Sequence, residues 1–368
     1  MSLRPAPSRD RQGAVVEQCA NRSLTVAARY SLVLCVLAAC SRPAPDLRPT
    51  LATDPVSVDP DDPAIWVNSA DPARSLIIGT NKVPAPQGAL VVFGLDGKTR
   101  QTISGLDRPN NVDVEYNLLL PGGPADIAVV TERLQHRLRI YKISAGGLAD
   151  ITGATAVFEG QPGESGAPMG VALYRRSRDG SLFAIVSRKT GPRDGYLWQY
   201  DLQHDGAGKV KAVKVREFGR FSGVGEIEAV AVDDALGYAY YADEGDGIHK
   251  YYADPDHPEA AQELAWFGRE DYRGDREGLA LYARPDNTGY LLSTDQLPGN
   301  SRYFVYPRDG DQSKPLRVFT GGADETDGAE ATAAPLGPRF PNGLFIVMNS
   351  GPKNFLLYRW EGIQALLP

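Results

Sequence analysis

One unit recurs six times along this chain, and it constrains the fold more than any other feature. A strand of apolar and aromatic residues leads through a short polar connection into a second strand rich in Tyr, Phe or Trp. The copies are SLIIGTNK…GALVVFGL, DIAVVTER…HRLRIYKI, SLFAIVSRK…GYLWQYDL, GYAYYADE…GIHKYYA, GYLLSTDQ…SRYFVYPR and GLFIVMNS…NFLLYRW. They start near residues 75, 126, 181, 237, 289 and 343, and long helical periodicity is absent. A repeat of roughly fifty residues built from strands specifies a β-propeller; six copies specify six four-stranded antiparallel blades.

A shorter apolar run precedes each hairpin: DPAIWV, NNVDVEY, MGVALY, EAVAVD, EGLALY and, less clearly, AEATAA. These are expected to be the innermost strands, because small residues suit the crowded axis. Antiparallel pairing then places the start of each innermost strand and the end of the next strand on one face. The innermost starts are Asp62 (with Asp61), Asn110, Met169, Glu228, Glu277 and Asp327 or Glu330. The second-strand ends are Lys82, Arg133, Lys189, Glu244, Gln296 and Asn349. Blades one to three thus present three cations in succession. The opposite arc is rich in carboxylates, with Glu228, Glu244, Asp275, Glu277 and the run Asp324-Glu325-Asp327-Glu330. Adjacent carboxylates such as Asp61 and Asp62 repel unless a cation lies between them. A solvated turn fixed by Pro60 and Pro63 accounts for that stretch taken alone.

The balance of charge narrows the partners. The chain carries 39 Lys+Arg and 46 Asp+Glu, a formal charge of −7. Without residues 1–40, which hold five basic and two acidic side chains, 34 remain against 44, a net −10. An acidic body argues against nucleic acid as a partner and suits cations. All three cysteines (Cys19, Cys35, Cys40) lie in those forty residues, so the body holds neither disulfides nor reactive thiols. Arg29 followed by the apolar Tyr30 to Ala39 reads as an export signal too short to span a bilayer. Leu37-Ala38-Ala39-Cys40 resembles a bacterial lipobox. The organisation expected is a signal over 1–40 ending at Cys40, a Pro-rich tether over 41–55, and one propeller over 56–368. The protein is then expected in the envelope as a lipid-anchored monomer, or periplasmic or secreted, touching membrane only through an N-terminal lipid.

Oxygen ligands without Cys suit Ca²⁺. The four histidines (His136, His204, His249, His257) lack metal-ligand spacing, and no Gly-x-Ser-x-Gly, Cys-x5-Arg or Arg-His-Gly motif supplies a nucleophile. A cationic clamp with several Ca²⁺ would hold a highly phosphorylated substrate and activate water, which is metal-assisted phosphomonoester hydrolysis. The candidate metal ligands are Asp61, Asp62, Asn110, Asp113, Glu228, Glu244, Asp275, Glu277, Gln296, Asp327, Glu330 and Asn349.

DDPAIWV, SLIIGTNK, RPNNVDVEY, IEAVAVDD, YADEGDGIHKY, EGLALY and ETDG resemble the β-propeller phytases in order and spacing, over Asp54 to Trp360. The resemblance implies a six-bladed, Ca²⁺-dependent bacterial 3-phytase acting on myo-inositol hexakisphosphate or its calcium complex at one end of the channel. It implies metal-ligand roles for Asp62, Glu228, Asp275, Glu277 and Asp327, with Glu244 and Gln296 nearby. It implies phosphate binding by Lys82, Arg133 and Lys189, with Arg188 as the alternative to Lys189 and Glu244 close to the substrate. Lys82, Arg133, Lys189, Glu228 and Glu277 are the expected catalytic group. Met169 stands where the family has Tyr, and Asn349 where it has Asp. Two rival classes remain: a Ca²⁺-centred propeller lactonase or esterase, which calls for an apolar pocket, and a non-catalytic binding propeller at the cell surface, which calls for an aromatic patch.

Overall fold

The protein, described here from a computed structural model over residues 46–368, forms six four-stranded antiparallel sheets. The six-bladed propeller expected from the repeat is therefore observed. The signal and lipobox assigned to residues 1–40 lie outside the described residues. The innermost strands are Pro60–Trp66, Pro109–Leu120, Pro168–Arg175, Val230–Asp233, Leu279–Ala283 and Ala329–Thr332. Five blades follow chain order from the innermost strand outward. Blade six takes its three inner strands from the C-terminal end and its outermost from Leu51–Ala52. Within the segment expected to be a tether, these two residues pair with Leu357 and Leu356, and Thr53 continues the contact by donating to the Phe355 carbonyl. The short strand covers an edge that would otherwise expose unpaired backbone groups.

The core lies in six seams. One cluster joins Ile127 and Val129 of blade two to Val171, Val186 and Trp198 of blade three. Equivalent clusters fill the other five junctions, including Ile65 and Ile77 against Leu344, Ile346 and Phe355 where blade one meets blade six. A second strand such as Leu344–Asn349 is buried along its whole length because both faces press on a neighbouring blade. That two-sided burial explains why these runs are continuously apolar rather than alternating.

The first three blades share a device that positions chemistry. Their innermost strands start at Pro60, Pro109 and Pro168, and each ladder is interrupted by a bulge over the next three residues. Proline cannot donate to the ladder, and a bulge re-aims the side chains beside it. Asp61-Asp62, Asn110-Asn111 and Met169-Gly170 occupy those bulges.

Candidate active site at the channel mouth

The ends of the second strands follow a three-residue rule. First, in four of the six blades, comes a hydroxyl that accepts the backbone N–H of the facing bulge or strand start: Thr80 from Asp62, Thr131 from Asn111, Ser187 from Gly170 and Thr294 from Gly278, at 2.8–3.2 Å. Next comes a buried polar residue that holds a neighbouring loop by its backbone. Asn81 accepts from Asp59, Glu132 from Asp107, Asp243 from Ser222 and Asp295 from Gly274. The third residue faces the mouth: Lys82, Arg133, Lys189, Glu244 and Gln296.

Arg188 and Asn349, both read from sequence as site candidates, stand in the second register. Arg188 is 1% exposed, donates to the carbonyls of Tyr196 and Gly195, and lies over the Phe158 and Trp198 rings. Asn349 accepts from the Asp324 backbone and donates to Asn354. Both side chains are committed to loop support.

At the mouth, charges from separate blades converge. Lys82 pairs with Asp61 and lies 3.6 Å from Asp327. Arg133 donates to Asn110 and reaches Glu228 at 3.4 Å, while Asn110 donates to Glu228 at 3.2 Å. Lys189 pairs with Glu226, a residue absent from the sequence-derived set. Gln296 donates to Asp327. Met169 is fully buried, and its carbonyl accepts from Thr131 at 2.6 Å. Next to it, a Cβ on Gly170 would fall 1.8 Å from the Glu228 carbonyl oxygen, so only glycine lets the segment carrying Glu228 approach.

The carboxylates form two tiers. Glu244, Asp275 and Glu277 each offer an oxygen within 4.8 Å of the others. Arg276 sits between two of them in sequence but points inward. It donates to the carbonyls of Gly268 (2.8 Å), Arg269 (3.1 Å) and Glu244 (2.7 Å), which fixes Glu244 beside its partners. Below the mouth, Asp62, Asp113 and Glu330 line a channel cavity of about 270 Å³ together with Glu115 and Asp234. Here Asp62 accepts from Val112 of the next blade at 2.9 Å, and Asp113 accepts from Leu173 at 2.6 Å. These carboxylates satisfy the free N–H edge of the innermost strands.

Burial sets the protonation of both tiers. It raises Glu244 to about 8, helped by Asp275 and Glu228, and raises Asp61 to about 6 despite the Lys82 charge. It lifts Glu277 well above the carboxylate range, reinforced by Glu228, Glu244 and Asp327. Asp113 is pushed to about 7 by the same desolvation. Lys189 moves down through burial and then the Arg133 charge.

This donor set fits a hard divalent cation. Among the described residues, Glu277 Oε2 is buried without a partner, and the Asp61 oxygens have no donor other than Lys82. Calcium takes six to eight oxygens at about 2.3–2.6 Å, a shell that the spacing of Glu244, Asp275 and Glu277 can contribute to. Three cations facing that cluster across the mouth make a place where several anionic groups can be held at once.

A family model described as Phytase matches residues 19–364. The curated 3-phytase of Bacillus subtilis (strain 168) is 32% identical over 336 residues, covering 86% of this chain and 84% of that one. Two solved structures align at 10% identity. BBS1N in complex with ARL6DN has a TM-score of 0.44, covering 86% of this chain and 79% of that one. The beta-propeller domain of Myceliophteria thermophila Cps50 (Swd1) has a TM-score of 0.47, covering 81% and 83%.

Proposed function

Because this chain belongs to the phytase family, we propose that the channel mouth is where it hydrolyses phytate, with calcium held by the carboxylate arc. The activity itself, phosphate release from phytate by a hydrolase, follows from that membership. The observation that supports this location is the convergence of Glu244, Asp275 and Glu277 on one point, facing Lys82, Arg133 and Lys189.

Glu244, Asp275 and Glu277 would hold calcium, with Asp61, Glu228 and Asp327 nearby. Bound there, calcium supplies Lewis-acid neutralisation of phosphate charge and a source of nucleophilic water. Arg133 is held in place by Asn110 and Glu228 through one terminal nitrogen, leaving the other terminal nitrogen for a phosphate oxygen. Lys82 and Lys189 flank it as point charges. As the phosphoryl group transfers, charge moves towards the leaving oxygen, and these fixed donors stabilise that shift without reorganising. The carboxylates protonated by burial give up protons when a cation binds, so affinity should rise with pH.

We further read residues 1–40 as an export signal ending at a lipid-bearing Cys40, which anchors the enzyme to an envelope membrane. Among the described residues no helix is long and apolar enough to cross a membrane. Cys40→Ser should move activity from the membrane to the soluble fraction; a variant that still sediments removes this reading. The catalytic reading is tested by phosphate release from calcium phytate with and without chelator. Loss with chelator and recovery with added Ca²⁺ are expected. Phosphate release untouched by chelator removes the metal, and no release at all removes the site.

A further inference from the structure

The face of the propeller opposite the mouth holds a cavity of about 950 Å³, walled by blades one, two and six. The second strand of blade one, Leu76–Asn81, ends at the mouth, so its start and the turn before it lie on this far face. Blade two brings its turn over residues 145–147 to the same place, and blade six its loop over 336–339. These walls hold one another. Gln101 of blade one accepts the Leu148 N–H at 2.8 Å and donates to the Leu148 carbonyl at 3.1 Å, which pins blade two. A Cβ on Gly337 would fall 3.8 Å from that of Ala73, so the loop of blade six packs on the turn of blade one.

Floor and rim differ in chemistry. Leu76, Leu95 and Leu336 lie buried beneath the cavity, while Arg74, Arg100 and Arg339 stand exposed around it. Among the described residues the one carboxylate lining it is Asp96, and Arg100 takes that at 2.7 Å. Arg74 and Arg339 meet no carboxylate among those residues; Arg339 donates to the Leu95 carbonyl at 3.2 Å. Two guanidiniums without a counter-charge above an apolar floor select an oxyanion that carries an apolar body. Size points the same way. A water molecule's share of the liquid is about 30 Å³, so a bare ion would leave most of this space to solvent, whereas small-molecule pockets run to about 300–1,000 Å³. Residues 41–368 carry a net −10, and an anionic bilayer would meet that charge over a broad area. A single molecule seated in the cavity meets the two arginines at short range, inside a screening length of about 8 Å.

We propose that this far-face cavity binds a single anionic amphiphile, with Arg74 and Arg339 on its oxyanion head and the three leucines beneath its apolar body. The site shares no residue with the mouth and does not rest on the reading of the mouth as the place of phytate hydrolysis. Decanoate is a suitable probe, because its carboxylate head offers nothing for a phosphomonoesterase to cleave.

Calorimetric titration of the full-length Cys40→Ser protein, purified without detergent and kept in chelator, measures the binding. Decanoate below its micelle concentration should bind saturably, one to one. Butanoate, shorter by six methylenes, should bind about 10²-fold more weakly or worse, and decyltrimethylammonium, the same body with a cationic head, should not compete. Adding Arg74→Gln with Arg339→Gln should weaken decanoate about 10-fold or more, with phytate hydrolysis and the ligand-free melting temperature unchanged. Adding Arg74→Lys with Arg339→Lys should recover part of the affinity. The proposal is overturned if decanoate does not bind, if the double Gln variant binds it equally, or if butanoate or the cationic amphiphile binds as tightly. A melting temperature that falls in step with affinity, with no recovery in the double Lys variant, overturns it as well. So does retention on phosphatidylglycerol vesicles without decanoate binding, which would assign the face to a membrane surface.

Discussion

Lys82 of blade one lies 3.6 Å from Asp327 of blade six, across the seam where the ring closes. Its ammonium also pairs with Asp61 of its own blade, whose carboxylate is 1% exposed. One cation thus serves two acidic groups that would otherwise repel in a desolvated pocket. Replacing it by Met should slow phosphate release on the order of 10²-fold, the usual effect of removing one preorganised donor. It should also destabilise the fold by about 3–5 kcal/mol at pH 8, because Asp61 is left ionised and unpaired. At pH 5 the loss should shrink, since Asp61 can take up a proton. Equal destabilisation at both pH values, by thermal unfolding, would rule out the Asp61 charge as the cause.

Arg133→Ala should reduce the rate of phytate hydrolysis on the order of 10²-fold or more, and should also cost stability, because buried Glu228 and Asn110 lose their partner. Arg133→Lys should restore only part of the rate, because an ammonium cannot bond Asn110 and Glu228 on one side and phosphate on the other in one plane. Wild-type kinetics in the alanine variant would mean that the third register of the second strands does not meet substrate.

Metal-free protein should lose stability as pH rises from about 4 to 8. Asp61, Asp113 and Glu244 are raised in the folded state to about 6, 7 and 8, from ordinary values near 4. A raised carboxyl favours the fold while protonated, so its contribution is full below the unfolded value and is lost as pH passes the folded one. Added Ca²⁺ binds the ionised form and should therefore raise the melting temperature more at pH 8 than at pH 5. A melting temperature in chelator that is flat across this window would contradict the assignment.

Arg276→Met should weaken calcium binding about 10-fold or more, the usual result of losing a group that orients a ligand. The Glu244 carbonyl loses its 2.7 Å donor, while Asp275 and Glu277 keep their carboxylates. Calorimetric titration with Ca²⁺ measures this directly; unchanged affinity would show that Glu244 needs no such support.

Much of this was legible in the chain itself. Six aromatic hairpins are readable because two-sided burial leaves each second strand continuously apolar. The cations Lys82, Arg133 and Lys189 are readable because they recur at one repeat position. What escaped was the finer register. Thr80-Asn81-Lys82, Thr131-Glu132-Arg133 and Ser187-Arg188-Lys189 show hydroxyl, anchor and functional residue in order, yet nothing in the sequence separates an anchor such as Arg188 from the functional residue beside it. Counted by that rule, the residue of blade six facing the mouth is Ser350, one place beyond Asn349. The repeated proline at 60, 109 and 168 also stood in plain view, but a bulge needs the partner strand to be seen. Leu51–Ala52 was unreadable as a strand, because two residues carry no period.

The closure of blade six by Leu51–Ala52 sets an order of events during synthesis. Those two residues are made early, yet their partners Leu356 and Leu357 come almost at the end of the chain. Until then the first strand has nothing to join. A chain ended before Leu356 therefore lacks the pairing that joins the first strand to blade six, although its cationic and acidic arcs are both already made. Closure of the ring is thus a late event, set by two residues at one end of the propeller meeting two at the other.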